Sequence, residues 1–399
     1  MLFKIIYVIY LIVSLFFASF EITSSISLRH IMTVVMFLLC IYERGVKFDK
    51  FLKWYILFLV FYGLSCILTG FEMVFFRNLI GTFFAAIVIY MATTIMIRKY
   101  NWGNVIITTI LALAVINSFV AIGQFYGNQY AIGLTTLFQF NLTDELVDLY
   151  ESQRDFHGRY VGGLLDIVLN GYFLSAASVL ALYNKKGKIT ILNWIVFAII
   201  FYALFLCQER SGLYCSVLCT AIYLLLSTNK NKGVILTSSL FFIILLYVVT
   251  NYGSQLFSFS EMRYSSMSDE GLREKLFTDG FNYFLEHPMG AYQQYVLEGH
   301  TQAHNVFVNA LLFGGIFGGI IGIGIIIYQL VVIMEVILKA LRKRINSTML
   351  VVCSLAYLDY TLNSFFHNPS VLAGVSIYFV LWSMVVTLIQ KEKNTTSTI

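Results

Sequence analysis

A guanidinium grips phosphate or carboxylate through paired donors, and an imidazole takes up a proton near neutrality. Three stretches of this 399-residue chain offer those groups. Gln208-Glu209-Arg210-Ser211-Gly212 is a polar knot in a tight hairpin between two apolar runs. Arg210 there can hold an anion, or simply close the turn in an ion pair with Glu209. Arg273 stands in a polar stretch and is followed by Glu286-His287-Pro288-Met289-Gly290. It can equally pair with Glu270 or Glu274, since exposed helix ion pairs are common and weak. The third stretch is Gly299-His300-Thr301-Gln302-Ala303-His304-Asn305-Val306-Phe307-Val308-Asn309. His304 opens an apolar run at the edge of water, a place that suits a general base and suits an interfacial anchor equally well. Asn305 and Asn309, one helical turn apart, offer amides to a hydroxyl-rich ligand.

Whatever these groups do, a membrane scaffold must hold them. Apolar residues make up 59% of the chain and charged ones 12%, whereas soluble proteins carry about twice that charge. The expected class is all-α: a polytopic integral membrane protein, treated as one domain over 1–399. Apolar runs at 3–20, 26–43, 53–70, 74–97, 104–124, 161–183, 189–207, 211–228, 233–251, 316–338, 348–366 and 370–390 predict about twelve transmembrane helices, each near the length that crosses roughly 30 Å of hydrocarbon. The first run lacks a convincing cleavage site and is expected to stay as a helix. The net charge of +5 is mostly a lysine excess in the gaps, with no basic-aromatic motif, so nucleic acid is not an expected partner. The six cysteines lie in or beside apolar runs without a CxxC pair, which suits packing rather than metal or disulfide.

Counting from a cytoplasmic N-terminus, alternate gaps collect Lys4, Arg44, Lys47, Lys50, Lys53, Arg98, Lys99, Lys185, Lys186, Lys188, Lys230, Lys232, Lys339, Arg342, Lys343, Arg344, Lys391 and Lys393. Lysine-rich cytoplasmic gaps are the ordinary retention signal. The opposite face receives Arg29, Arg77, Arg154, Arg159, Arg210, Arg263, Arg273 and one lysine, Lys275. An arginine-dominated outer face needs another cause, and anion binding supplies one. Two extracytoplasmic loops are long, 125–160 and 252–303, and loops of that length are usually functional.

Inside the second loop Ser268-Asp269-Glu270 reads as a helix start. Leu272, Leu276, Phe277, Phe281 and Phe284 then recur at helical spacing until Pro288, as expected of an amphipathic surface helix. The apolar run 303–341 would extend roughly 58 Å as one helix, against about 30 Å of hydrocarbon. It should break, with a short interfacial helix at 304–313 and a crossing helix from Ile316. Gly314, Gly318 and Gly322, beside Gly315 and Gly319, form a small-xxx-small ladder suited to close helix packing.

Taken in order, four motifs resemble those of the O-antigen ligase/polymerase superfamily. Arg273 with Phe284-Leu285-Glu286-His287-Pro288-Met289-Gly290 is similar to its arginine–helix–"hPlxG" stretch. Ala303-His304-Asn305-Val306-Phe307-Val308-Asn309 through Gly314-Gly315 resembles its "HN-x-x-L…G…G" element, with Val308 in place of the usual leucine. Glu209-Arg210-Ser211-Gly212 resembles its "SR-x-G" hairpin, with Glu209 where a small residue is commoner. Arg159-Tyr160-Val161-Gly162 with Asn170 resembles its "R-x-x-G…N" stretch, without an "NP" before Asn170. The resemblance covers roughly residues 155–320.

It implies a GT-C-like, metal-independent, inverting glycosyltransferase without cofactor, in the bacterial cytoplasmic (inner) membrane with an extracytoplasmic site. The donor would be a polyprenyl-diphosphate-linked glycan and the acceptor a second glycan, with a chain-length regulator or flippase as a further partner. In such a site Arg210 and Arg273 would stabilise the diphosphate leaving group, with Arg159 and Arg263 in support. His304 would accept the acceptor proton. Glu209, Asn305 and Asn309 would line the sugar site, and Asp166 would either line it too or hold Arg159. The expected activity is repeat-unit polymerisation for O-antigen or capsule, and the nearest rival is the ligase that passes finished glycan to lipid A core or another acceptor. A transporter such as a polysaccharide flippase is the rival from another class. Asp359, deep in an apolar run, is the best hint of the ion-coupled path a transporter needs.

Overall fold

Backbone N–H and C=O groups cannot stay unpaired in hydrocarbon, so apolar runs of this length fold as helices. The computed structural model describes residues 1–17, 21–23, 26–44, 48–69, 79–138, 164, 167–185, 187, 189–207, 210–227, 236, 240, 243–244, 269–298, 303, 305–345, 347–365 and 371–396. Its helices are α1 (Leu2–Phe16), α2 (Leu28–Tyr42), α3 (Lys50–Thr69), α4 (Ala85–Tyr100), α5 (Gly103–Phe125), α6 (Gln129–Phe138) and α7 (Ile167–Ala181). They continue with α8 (Ile191–Leu206), α9 (Arg210–Ser227), α10 (Asp269–Glu286), α11 (Tyr292–Leu297), α12 (Val306–Leu341), α13 (Thr348–Ser364) and α14 (Ser376–Thr396). A π-helical turn, Leu79–Phe84, leads into α4.

Eleven of the twelve apolar runs thus coincide with helices, and the run 233–251 falls almost wholly outside the described residues. Among the described residues four helical stretches, Lys50–Thr69, Gly81–Tyr100, Gly103–Phe125 and Val306–Leu341, are long and apolar enough to cross a membrane. One departure from an all-helical chain is a small antiparallel hairpin, in which Glu21–Thr23 (β1) pairs with Ile26–Ser27 (β2). Ser27 then caps α2 by accepting from the His30 N–H, while His30 Nδ1 accepts from the Ser27 N–H.

The outward faces also fit lipid. Ile31, Val34, Leu38 and Ile41 form an exposed stripe along α2, and Phe317, Ile320, Ile327, Val331, Met334 and Leu338 do so along α12. Water would penalise such stripes, and hydrocarbon does not. The core lies instead on α13 and α14, where Tyr357, Tyr360, Tyr378 and Trp382 are fully buried. Tyr357 packs edge-on to Tyr378 with ring centroids 4.5 Å apart.

Several lysine-rich gaps gather at one end of the bundle. Lys99 pairs with Glu43, Arg98 donates to Gln390, and Lys391 donates to Asn101 Oδ1 at 2.8 Å. Lys4 lies 4.8 Å from the Tyr100 and Trp102 ring centroids. The turn after α2 therefore meets the end of α4, and the turn after α4 meets α1 and α14, as the alternation of charged gaps requires. Arg210 begins α9, and Arg273 lies in the second turn of α10.

Candidate active site

The predicted break in 303–341 is present. Helical φ/ψ fails at Gly315 (φ 61°, ψ −162°), between a first segment starting at Val306 and the crossing segment. A broken helix loses internal hydrogen bonds and must recover them from elsewhere in the protein. Here the Pro288-Met289-Gly290-Ala291 turn supplies both partners. The Ile316 N–H donates to the Pro288 carbonyl at 2.9 Å, and the Ala291 N–H donates to the Leu312 carbonyl at 3.2 Å. Backbone lies directly on backbone: a Cβ on Gly290 would stand 2.6 Å from the Gly315 nitrogen. The Gly314–Gly322 ladder therefore divides in two. Gly318 and Gly322 do serve packing, against Phe61 on α3 and against Leu372 and Phe58, whereas Gly315 makes the kink.

This clamp fixes α10 against the first half of α12. Gly280 of α10 sits on Ala303, where a Cβ would meet the Ala303 methyl at 2.7 Å. Tyr283, Phe284, Ala291, Tyr295, Ala303, Val308 and Leu312 close a small apolar core of their own beneath it. Burial pushes the Tyr283 hydroxyl up to about 12, so it stays neutral and packs 4.4 Å from the His287 ring centroid. Position 273 is seven residues before Gly280, close to two full turns, so it shares that face about 10 Å along the axis. His304 follows Ala303 directly. Helix α10 itself runs from Asp269 and stops at Glu286, matching the expected start and the proline-limited end. Its apolar stripe is only partly covered: Phe277, Phe281 and Leu285 are exposed while Phe284 is buried.

Asn305 is the N-cap of α12. Its Oδ1 accepts from the Phe307 N–H at 2.9 Å and the Val308 N–H at 3.2 Å. That oxygen is committed to the helix, so a ligand contact from Asn305 falls to its amide nitrogen. Asn309 is buried against the bundle. Losing such a cap costs about 0.5–2 kcal/mol. Asn305→Ala is therefore expected to lower the melting temperature of the detergent-solubilised protein, and Asn305→Ser to restore it; equal midpoints for all three would remove the cap from the account.

The hairpin motif begins α9 at Arg210, three residues beyond the described end of the α8 turn at Cys207. Asn170 secures that turn from α7. Its Nδ2 donates to Cys207 Sγ at 3.1 Å, and its Oδ1 accepts from Asn117 on α5. Asn117 Oδ1 in turn accepts from the Leu164 N–H at 2.7 Å. The "R-x-x-G…N" asparagine is thus a structural knot, and Asn117, its partner, carried no signal in the sequence. Helix α9 packs on α7 and α13, and α13 packs on α12. Phe365 at the end of α13 stacks on Phe307 at the start of α12, with centroids 5.4 Å apart. The helices bearing Arg210, Arg273 and the His304 motif therefore reach the same end of the bundle, joined by α13.

Among the nine site residues expected from sequence, Asn305 and Asn309 are described with their side chains. Arg210 and Arg273 are described as backbone positions. Arg159, Asp166, Glu209, Arg263 and His304 lie outside the described residues. Among the described residues no group of three or more His, Cys, Asp or Glu side chains could hold a metal ion. None of the six cysteines forms a disulfide, and all six are buried.

Residues 195–323 match the family model described as O-Antigen ligase. The match supports the O-antigen ligase/polymerase superfamily. It covers about a third of the chain, running from within α8 to within α12, and so encloses the Arg210 hairpin, the Arg273 helix, the His304 motif and the glycine clamp. Members of that family are membrane glycosyltransferase-like enzymes. No curated protein matches the chain. Within the matched segment, the paired glycines Gly290 and Gly315 have a common cause, because each leaves room for the other's backbone.

Proposed function

We propose that this protein is an inverting, metal-independent glycosyltransferase that polymerises polyprenyl-diphosphate-linked repeat units into O-antigen or capsular polysaccharide. It would work at the outer face of the bacterial cytoplasmic membrane. An acceptor sugar hydroxyl attacks the donor's anomeric carbon as the bond from that carbon to the diphosphate oxygen breaks. The electron pair leaves with the diphosphate, and its charge is met by Arg210 and Arg273, with Arg159 and Arg263 in support. His304 accepts the hydroxyl proton. A single in-line displacement inverts the anomeric centre, and cationic side chains do the work a divalent metal would do. Asp166, Glu209, Asn305 and Asn309 serve the sugar hydroxyls.

One observation carries this proposal: the matched segment contains all three catalytic candidates, and its own clamp seats the Arg273 helix on the His304 motif. The family's description favours a second reading, the ligase that hands finished glycan to lipid A core or another acceptor. Deletion of the gene separates the two. Loss of a polymerase leaves a single repeat unit attached to the surface acceptor, whereas loss of a ligase leaves none. Long chains persisting after deletion would end both.

A further inference from the structure

Asp359 is fully buried in α13, and among the described residues no salt bridge reaches it. Its Oδ1 lies 2.5 Å from Ser175 Oγ on α7, and the same Oγ lies 2.8 Å from the Gly212 carbonyl on α9. Two oxygen–oxygen contacts this short need two hydrogens. The serine hydroxyl has one, and a backbone carbonyl has none. A carboxylate has none either, so the second hydrogen belongs to a carboxylic acid. The hydroxyl relay one turn further along balances without such help. Ser178 Oγ donates to the Ser175 carbonyl at 2.6 Å, and Ser216 Oγ, 2.5 Å away, supplies the other hydrogen. Asp359 Oδ2 has no hydrogen-bond partner among the described residues. That is far less costly for the carbonyl oxygen of a neutral acid than for half of a buried charge.

We propose that Asp359 is a positioning residue: it keeps its carboxyl proton, hydrogen-bonds through it to Ser175 Oγ, and through that hydroxyl pins the first turn of α9 that carries Arg210. Gly212 is two residues from Arg210, about 3 Å along the helix, so the pinned carbonyl belongs to the turn from which the arginine starts. The role of Arg210 rests on the proposed glycosyl transfer; the proton on Asp359 does not. Tyr172 strengthens the same seam, donating from its hydroxyl to the Asn363 carbonyl at 3.1 Å, one turn beyond Asp359. The tether also removes the motive for an ion-coupled path, because an acid that must keep its proton to hold a helix is a poor carrier.

Two measurements on the full-length membrane protein test this. Infrared difference spectra of wild type against Asp359→Asn should show, at neutral pH, a carboxylic-acid carbonyl band that the variant lacks; absence of that band overturns the proposal. In a deletion strain, Asp359→Asn keeps an isosteric donor to Ser175 and should polymerise within a few-fold of wild type. Asp359→Ala and Ser175→Ala should each lose on the order of tenfold to a hundredfold, the scale of a misplaced catalytic group, and the double variant no more than either alone. Should Asp359→Ala fail to accumulate, Ser175→Ala carries the comparison. An Asp359→Asn protein that inserts normally yet is as inactive as the alanine variant also overturns the tether. If the band is present but Arg210→Ala leaves chain length unchanged, the tether stands and the glycosyl-transfer site is refuted.

Discussion

Arg210→Ala, Arg273→Ala and His304→Ala should each reach the membrane at wild-type levels and each abolish long glycan chains. Removing one preorganised donor from a developing anion typically costs 10²–10³ in rate, about 2.7–4 kcal/mol, and removing a general base costs about 10²–10⁴. A polymer requires many successive transfers, so even the lower figure empties the long-chain region of a glycan ladder. Arg210→Lys and Arg273→Lys should rescue poorly, because an ammonium is a point charge without the bidentate fork that matches a diphosphate. The check is a complemented deletion strain, its ladder resolved by electrophoresis beside immunodetection of the membrane protein. Wild-type ladders from all three alanine variants would refute the site. Loss in His304→Ala alone would leave the base and remove the arginines from their roles.

How much of this was legible in the sequence depends on the range of the interaction. Helix positions follow from local composition and length, and they were readable throughout the described helices. The break in 303–341 was readable too, since a continuous helix of that length cannot fit the hydrocarbon. The contacts that position the site were not. Ser175 meets Asp359 across 184 residues, and nothing local distinguishes Ser175 from the packing serine at 178. Asp359 looked like an ion-path residue because an acid in an apolar run is conspicuous, whereas the hydroxyl that occupies it is not. Asn305 suggested a sugar amide because its spacing to Asn309 is one turn, but the unpaired N–H groups at a helix start claim its oxygen first. The hairpin at residues 21–27 escaped notice because two strands of three and two residues lie below any periodic signal.

Gly315→Ala should damage the protein more than any other glycine change in α12. At φ 61° and ψ −162° the backbone is in a region essentially reserved for glycine, where strain alone costs about 1–3 kcal/mol. The added Cβ would also strike the Met289 carbonyl group and come within 2.8 Å of the Pro288 oxygen, the acceptor that satisfies Ile316. Gly290→Ala attacks the clamp from the other side, with φ +89° and a Cβ 2.5 Å from Ser65 Oγ. Neither residue touches the expected chemistry, yet both should reduce chain length beyond what lost accumulation explains. Moving the Pro288–Ala291 turn shifts the Arg273 helix away from the His304 motif, and about 1 Å of misplacement can cost 10²-fold. Gly324→Ala is the control, because a Cβ there meets nothing within 4 Å, and alanine is the better helix former by about 1 kcal/mol. Normalising polymer length to the amount of folded protein separates the two effects. If Gly315→Ala then matches Gly324→Ala, the backbone clamp does not hold the two motifs together, and the arginine and histidine must be brought into register by other contacts.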